Sequence, residues 1–230
     1  MNKLTWADIK PTVLFCILVC VLMFLAALSV DRQLPEDARV PMHWNIKGEV
    51  DRYGSKVEGL YLLPGLTAVM ILIFALVPLI EPRRRHLQLS LKAYKIIISA
   101  IIIFMAVIHG LILWSTMGKQ VDIGRLVNLG IGILFVLLGN YLGKVRSNFF
   151  LGVRTPWTLS SELSWSKTHR LAGWLFVILG LLVLINVAFW EPQRAFIIMI
   201  VGVIICGLVP YIYSYFIWKK DANRQVRSRD

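Results

Sequence analysis

Six stretches of this chain run for 17 to 24 residues without one Asp, Glu, Lys or Arg: residues 13–30, 60–80, 96–114, 126–142, 171–190 and 195–218. They limit the fold more than any motif does. A helix rising 1.5 Å per residue needs about 20 residues to cross a hydrocarbon core of roughly 30 Å. The pattern predicts an all-α integral membrane protein with six transmembrane helices. Composition agrees: 57% of the 230 residues are hydrophobic and 17% charged, too apolar for a soluble domain of this size. A secretory signal competes for the first stretch, since Ala27-Leu28-Ser29 has the small residues of a cleavage site. The run exceeds the usual apolar core of about 7 to 15 residues, so an uncleaved first span is favoured.

Charge then orients the spans. With the N-terminus inside, 17 of the 25 Lys and Arg residues fall on inner segments and 8 on outer ones, so the positive-inside bias places both termini in the cytoplasm. Residues 31–58 form an outer loop and residues 139–170 a cytoplasmic one. Trp114, Trp190 and Trp218 end spans, as interfacial anchors do. The net charge of +12 gathers beside apolar runs, where it meets anionic lipid; no direct nucleic-acid partner is expected. Cys16, Cys20 and Cys206 lie inside apolar segments, away from the exposed electropositive settings that make thiols reactive.

The stretch 139–170, GNYLGKVRSNFFLGVRTPWTLSSELSWSKTHR, interleaves charge, aromatic rings, Gly and Pro. Its six ionised side chains would each cost at least roughly 2.5 to 3.5 kcal/mol at the bilayer centre, so it sits at or beyond an interface. Gly139 and Gly143 form a GxxxG pair that lets a neighbouring helix approach, with Asn140 beside it. Thr155-Pro156 stops helix propagation, leaving Phe149, Phe150, Leu151 and Trp157 in a loop at headgroup level. A helix restarts at Ser160 or Ser161, with Glu162 in its first turn. Glu162, Trp165 and His169 then share one face. Arg154 and Glu162 are close enough in sequence to pair across the Pro156 turn.

In the outer loop Pro35, Pro41 and Gly48 break regular structure. His43, Trp44, Asn45, Asp51, Arg52 and Tyr53 offer an aromatic and polar surface suited to gripping a peptide. His43, Asp51 and His109 could meet as metal ligands, yet no HExxH-like spacing supports this, and neither metal nor other cofactor is expected. No GxSxG elbow supports a hydrolase built on Ser160, Ser161, Glu162 and His169.

The 139–170 stretch resembles the signature of the SdpI family, bacterial multispan membrane proteins that include an immunity protein against a secreted peptide toxin. Leu34-Pro35, Val40-Pro41, His43, Asn45, Gly48, Asp51 and Gly54-Ser55-Lys56 are similar to the small domain of unknown function that often precedes it. The resemblance implies a non-enzymatic protein of the bacterial inner or plasma membrane with two partners: a peptide toxin outside and a cytoplasmic transcriptional repressor inside. Pro41, His43, Asn45, Gly48, Asp51 and Lys56 would form the toxin side. Asn140, Asn148, Gly152, Arg154, Thr155, Pro156, Trp157, Glu162, Trp165, Thr168, His169 and Arg170 would form the cytoplasmic signature. The chain divides into residues 1–58 (first span and outer loop), 59–125 (spans two and three), 126–218 (the SdpI-like region) and 219–230 (basic tail). A small proton-coupled transporter, or a membrane enzyme with a cytoplasmic site, are the alternatives.

Both halves also run helix, polar loop, helix, basic turn, helix. They share the landmarks Ser55-Lys56 with Ser166-Lys167, and Glu81-Pro82 with Glu191-Pro192. This predicts a three-plus-three inverted repeat.

Overall fold

The computed structural model describes residues 5–120 and 122–224; residues 1–4 of the expected N-terminal lead and 225–230 of the basic tail lie outside the described residues. Among the described residues six helices are long and apolar enough to cross a membrane: α1 (Trp6–Asp31), α2 (Lys56–Ile80), α4 (Leu91–Thr116), α5 (Ile123–Leu142), α7 (Glu162–Phe189) and α8 (Pro192–Lys220). Two short helices, α3 (Arg84–Leu89) and α6 (Pro156–Leu159), lie in the connections. So does an antiparallel hairpin of β1 (Arg39–Trp44) and β2 (Val50–Ser55), which the all-α expectation lacked.

The hairpin forms because its turn is chemically specified. Asn45 Oδ1 accepts from the N–H groups of Lys47 and Glu49, Gly48 N–H donates to the Asn45 carbonyl at 2.9 Å, and Gly48 takes φ +81°, a region that favours glycine. Pro41, expected to break structure, lies within β1, a strand paired on one side only, as proline in a sheet requires. The hairpin is tied to the spans by Lys56, which pairs with Asp31 at 2.8 Å and donates to the Leu34 carbonyl at 3.0 Å. Val40 is fully buried against Gly59, where an added Cβ would come within 2.3 Å of it.

α2 carries Pro64 and Pro78, and each removes the N–H that would have bonded the carbonyl four residues earlier. Both orphaned carbonyls find a donor on α4. His109 Nε2–H donates to the Leu60 carbonyl at 3.0 Å, and the Tyr94 hydroxyl donates to the Phe74 carbonyl. In lipid no water could do this, so these two side chains make the prolines tolerable. His109 is thereby committed to the α2 backbone. Among the described residues no three His, Cys, Asp or Glu side chains come together as metal ligands.

The first three spans, α1, α2 and α4, each touch the other two. In the second triplet α7 lies between α5 and α8, which barely meet. Each half has three long helices, but the connections differ, with a hairpin and α3 in the first half and α6 in the second, and so does the packing of the triplets. The landmarks diverge too: Ser55 caps α2, but the serine capping α7 is Ser161, five residues before Ser166. The tightest seam joins α5 to α7. A Cβ on Gly139 would lie 2.6 Å from the Gly173 carbonyl oxygen, and one on Gly180 would lie 2.7 Å from that of Gly132. The motif that matters is therefore Gly132 and Gly139 facing Gly173 and Gly180, spaced by seven. Gly143 makes only ordinary contacts with Arg170.

Candidate functional site

Two polar assemblies lie at opposite ends of the spans. At one end the chain between α5 and α7 folds back on itself around Asn148, which is fully buried. Its Nδ2 donates to the carbonyls of Arg146 and Leu151, and its Oδ1 accepts from the N–H groups of Phe150 and Leu151. One carboxamide thereby satisfies four backbone groups of an irregular segment. Gly152 follows at φ +114°, with a Cβ position 2.1 Å from His169 Nε2, so no other residue fits.

His169 and Trp165 are the buried posts on which this loop hangs. His169 Nδ1–H donates to the Trp165 carbonyl at 2.8 Å, and Nε2 accepts from Val153 N–H at 2.9 Å. These partners define a neutral imidazole with its proton on Nδ1. The Trp165 ring stacks on the imidazole with centroids 3.9 Å apart, and its Nε1–H donates to the Val145 carbonyl at 2.7 Å. Thr155 and Thr158 form a capping box at α6, Pro156 occupies the first turn, and Trp157 lies edge-on to Tyr211 and Tyr215 of α8. Trp157 thus belongs to a short helix packed on α8 and not to an irregular loop.

Three expectations for this loop need correction. Arg154 does not pair with Glu162; its guanidinium donates to the Phe149 carbonyl at 2.7 Å. Glu162 is exposed while Trp165 and His169 are buried, so the three do not make one accessible surface; the acid instead approaches His86 at 3.8 Å. Asn140 is exposed on α5 and bonds back to the Val136 carbonyl, away from the loop. Thr168 is fully buried, with no hydrogen-bond partner for its hydroxyl among the described residues, and Arg170 is exposed.

The structure adds residues from the first half that sequence reasoning did not place at this site. Glu81, 1% exposed, accepts from Phe149 N–H at 3.0 Å and from Arg83 N–H at 2.8 Å. Arg83 donates to the Ser147 hydroxyl and to the Leu159 carbonyl, and its guanidinium lies 4.9 Å from the Phe149 ring centroid. His86 donates to the Ser147 carbonyl, and Ser90 Oγ accepts from Arg146 N–H at 2.7 Å. The α2–α4 connection therefore clamps the loop along its length. An acid directly after an apolar run, Glu81-Pro82-Arg83, was the available signal. On the other side Ser161, the cap of α7, donates to Asp221 at 2.5 Å, which closes the end of α8 onto the loop. The Ser161 hydroxyl and the Asn223 N–H hold the Asp221 carboxyl below its ordinary pKa.

At the opposite end the hairpin displays His43 and Asp51 as an exposed pair, Nδ1 to Oδ1 2.6 Å. Asn45 and Gly48 build the turn, Pro41 lies in β1, and Lys56 anchors the base. Of the six residues expected here, only His43 and Asp51 present side chains outward as a pair; the others shape the hairpin.

Residues 144–214 match the model of the SdpI/YfhL protein family, and residues 18–68 match a domain of unknown function, DUF1648. The chain is similar to the immunity protein SdpI of Bacillus subtilis (strain 168), 26% identical over 211 residues, which cover 92% of this chain and 97% of that protein. No solved structure matches the chain. Glu81 through Ser90 fall between the two matched regions, so the clamp on the signature loop comes from a segment that neither model describes. With six membrane-crossing helices and this likeness along nearly its whole length, the chain is a multi-pass protein of the bacterial cell membrane that carries an SdpI/YfhL region behind a DUF1648 segment.

Proposed function

We propose that this protein is a non-enzymatic membrane immunity protein that neutralises a secreted peptide toxin at its hairpin face. The observation that carries this reading is the likeness to an immunity protein across 97% of that protein's length, which takes in the hairpin and the signature loop alike. With the N-terminus inside, as the excess of Lys and Arg favours, the hairpin faces outward where a secreted peptide arrives. The signature loop then faces the cytoplasm, with the exposed cations Arg146, Arg154, Lys167 and Arg170 against anionic lipid headgroups. There it would hold a transcriptional repressor at the membrane when toxin is present.

The build of the loop favours a binding surface over a catalytic one. Ser161 is spent on a helix cap and on Asp221, and both nitrogens of His169 are engaged by backbone groups. Neither is left as a nucleophile or a base. The test is deletion of the gene followed by challenge with the peptides that the same strain secretes. Growth of the deletion strain should stop where the parent grows, and restored expression of the chain should rescue it. Equal growth of the two strains would refute the immunity reading.

A further inference from the structure

The carboxylates at the signature-loop end are engaged inside the protein. Glu81 accepts from the Phe149 and Arg83 N–H groups, Asp221 from Ser161 and the Asn223 N–H, and Asp8 from Thr5, while Glu162 approaches His86. At the hairpin end Arg52, Lys56 and Arg194 each pair with a carboxylate. Lys144, Lys167 and Arg170, by contrast, are exposed and make no ion pair among the described residues. Their countercharge comes from outside the fold.

The three cations adjoin where α5 meets α7. Lys167 and Arg170 lie one turn apart on α7, and Gly143, directly before Lys144, has its Cβ position 3.6 Å from Arg170 Cα. Gly143 is exposed and puts no side chain between them. Lys144 bends back toward the span, its ammonium 4.7 Å from the Tyr141 ring centroid. The uncharged run of α5 ends at residue 142 and that of α7 begins at residue 171, so all three cations stand at the depth of lipid phosphates. Below them the surface turns apolar without a break. Trp174, one turn beyond Arg170, is 65% exposed, and Ile178 and Leu181, both exposed, continue the same face of α7. An acidic face of a soluble protein, or a lone phosphate ion, would meet the cations but make no use of Trp174 and the stripe beneath it. A phospholipid of net negative charge uses both.

We propose that Lys144, Lys167 and Arg170 hold the headgroup of one anionic phospholipid at the α5–α7 seam, with its phosphate against the cations and an acyl chain along Trp174, Ile178 and Leu181. Basic pockets beside membrane spans recognise such headgroups. The site deepens the lipid contact of the reading above and rests on its placement of the signature loop at the membrane surface, not on the immunity role. It also has a consequence for the loop, which is strung between the ends of α5 and α7. A lipid bridging those two ends fastens the base from which Trp165 and His169 carry the loop.

The test reconstitutes the full chain in phosphatidylcholine vesicles containing a rising fraction of phosphatidylglycerol with brominated acyl chains, which quench indole fluorescence on contact. Each protein is read against its own Trp174→Phe partner, so that the difference isolates Trp174. Quenching should need about tenfold less brominated phosphatidylglycerol than brominated phosphatidylcholine. Replacing Lys144, Lys167 and Arg170 together by Gln should abolish that preference, whereas Lys219→Gln with Lys220→Gln, exposed cations at the end of α8, should keep it. Equal quenching by the two lipids in the wild type would overturn the proposal and leave the cations to an acidic soluble partner. A preference that survives the triple substitution, or falls equally in the α8 variant, would overturn it in favour of diffuse attraction to the anionic surface. Loss of the preference on adding inorganic phosphate at constant ionic strength would overturn it in favour of the free ion. Should the triple variant fail to reconstitute, Arg170→Gln alone decides, with a preference reduced at least about twofold expected and an unchanged one refuting the site. None of these readings involves growth, so their failure leaves the immunity role standing.

Discussion

The pairing of proline-orphaned carbonyls with side chains of α4 can be tested as a thermodynamic cycle. His109→Leu removes the donor at 3.0 Å from the Leu60 carbonyl and leaves that oxygen buried without a partner. An unsatisfied buried group costs about 1–3 kcal/mol. Side-chain hydrogen bonds inside membrane proteins average about 0.6 kcal/mol and reach about 1.7, so a loss of about 1–2 kcal/mol is expected. Pro64→Leu restores the N–H that an unbroken helix would aim at the same oxygen, and in that background His109→Leu should cost under about 0.5 kcal/mol. Reversible unfolding of the four proteins in mixed micelles measures the coupling. Equal costs in both backgrounds would refute the account and reduce His109 to a packing residue. A parallel cycle with Tyr94→Phe and Pro78→Leu probes the Phe74 carbonyl.

Three further outcomes follow from other parts of the structure. Gly139→Leu must push α7 away from α5, since even a Cβ would lie 2.6 Å from the Gly173 carbonyl; overpacking of about 1–3 kcal/mol should appear in the same unfolding assay, whereas Asn140→Ala should change stability by less than about 0.5 kcal/mol. A single cysteine at Asn45, with the three native cysteines removed, should react with an impermeant thiol reagent in intact cells while one at Ser160 should not; the reverse pattern would invert the topology. The Asp221 carboxyl has its folded pKa lowered, first by the Ser161 hydroxyl, so its contribution is fully present above its unfolded value and is lost as pH falls through the folded one. The difference in Tm between the wild type and Asp221→Ala should therefore stay constant from pH 8 to pH 5 and shrink only below about pH 4; a difference that declines already at neutral pH would argue against the latch.

Much of this protein is decided by local chemistry and can be read without a structure. Uncharged runs long enough to cross a bilayer make helices wherever they occur, because lipid leaves the backbone no other partner. All six spans were legible for that reason, with ends displaced by several residues where polar turns continue the helix, as at Leu91 and Glu162. The Ser161 cap, the break at Thr155-Pro156 and the importance of Trp165 and His169 were equally local, set by residue types at short spacing. What those residues do was not. That His169 holds Val153, that Trp165 reaches Val145, and that Glu81 and Arg83 grip Phe149 and Ser147 depends on segments up to about seventy residues apart meeting at one end of the bundle. Sequence proximity suggested an Arg154–Glu162 pair, but burial of the neighbouring Trp165 and His169 turned that helix so that its acid faces outward. The cleft of about 630 Å³ between α5 and α8 beneath the hairpin turn has no sequence signature at all. It exists because Gly132, Gly139, Gly173 and Gly180 draw α5 and α7 together and leave α8 on the far side of α7, a packing choice that only side chains meeting in three dimensions can make.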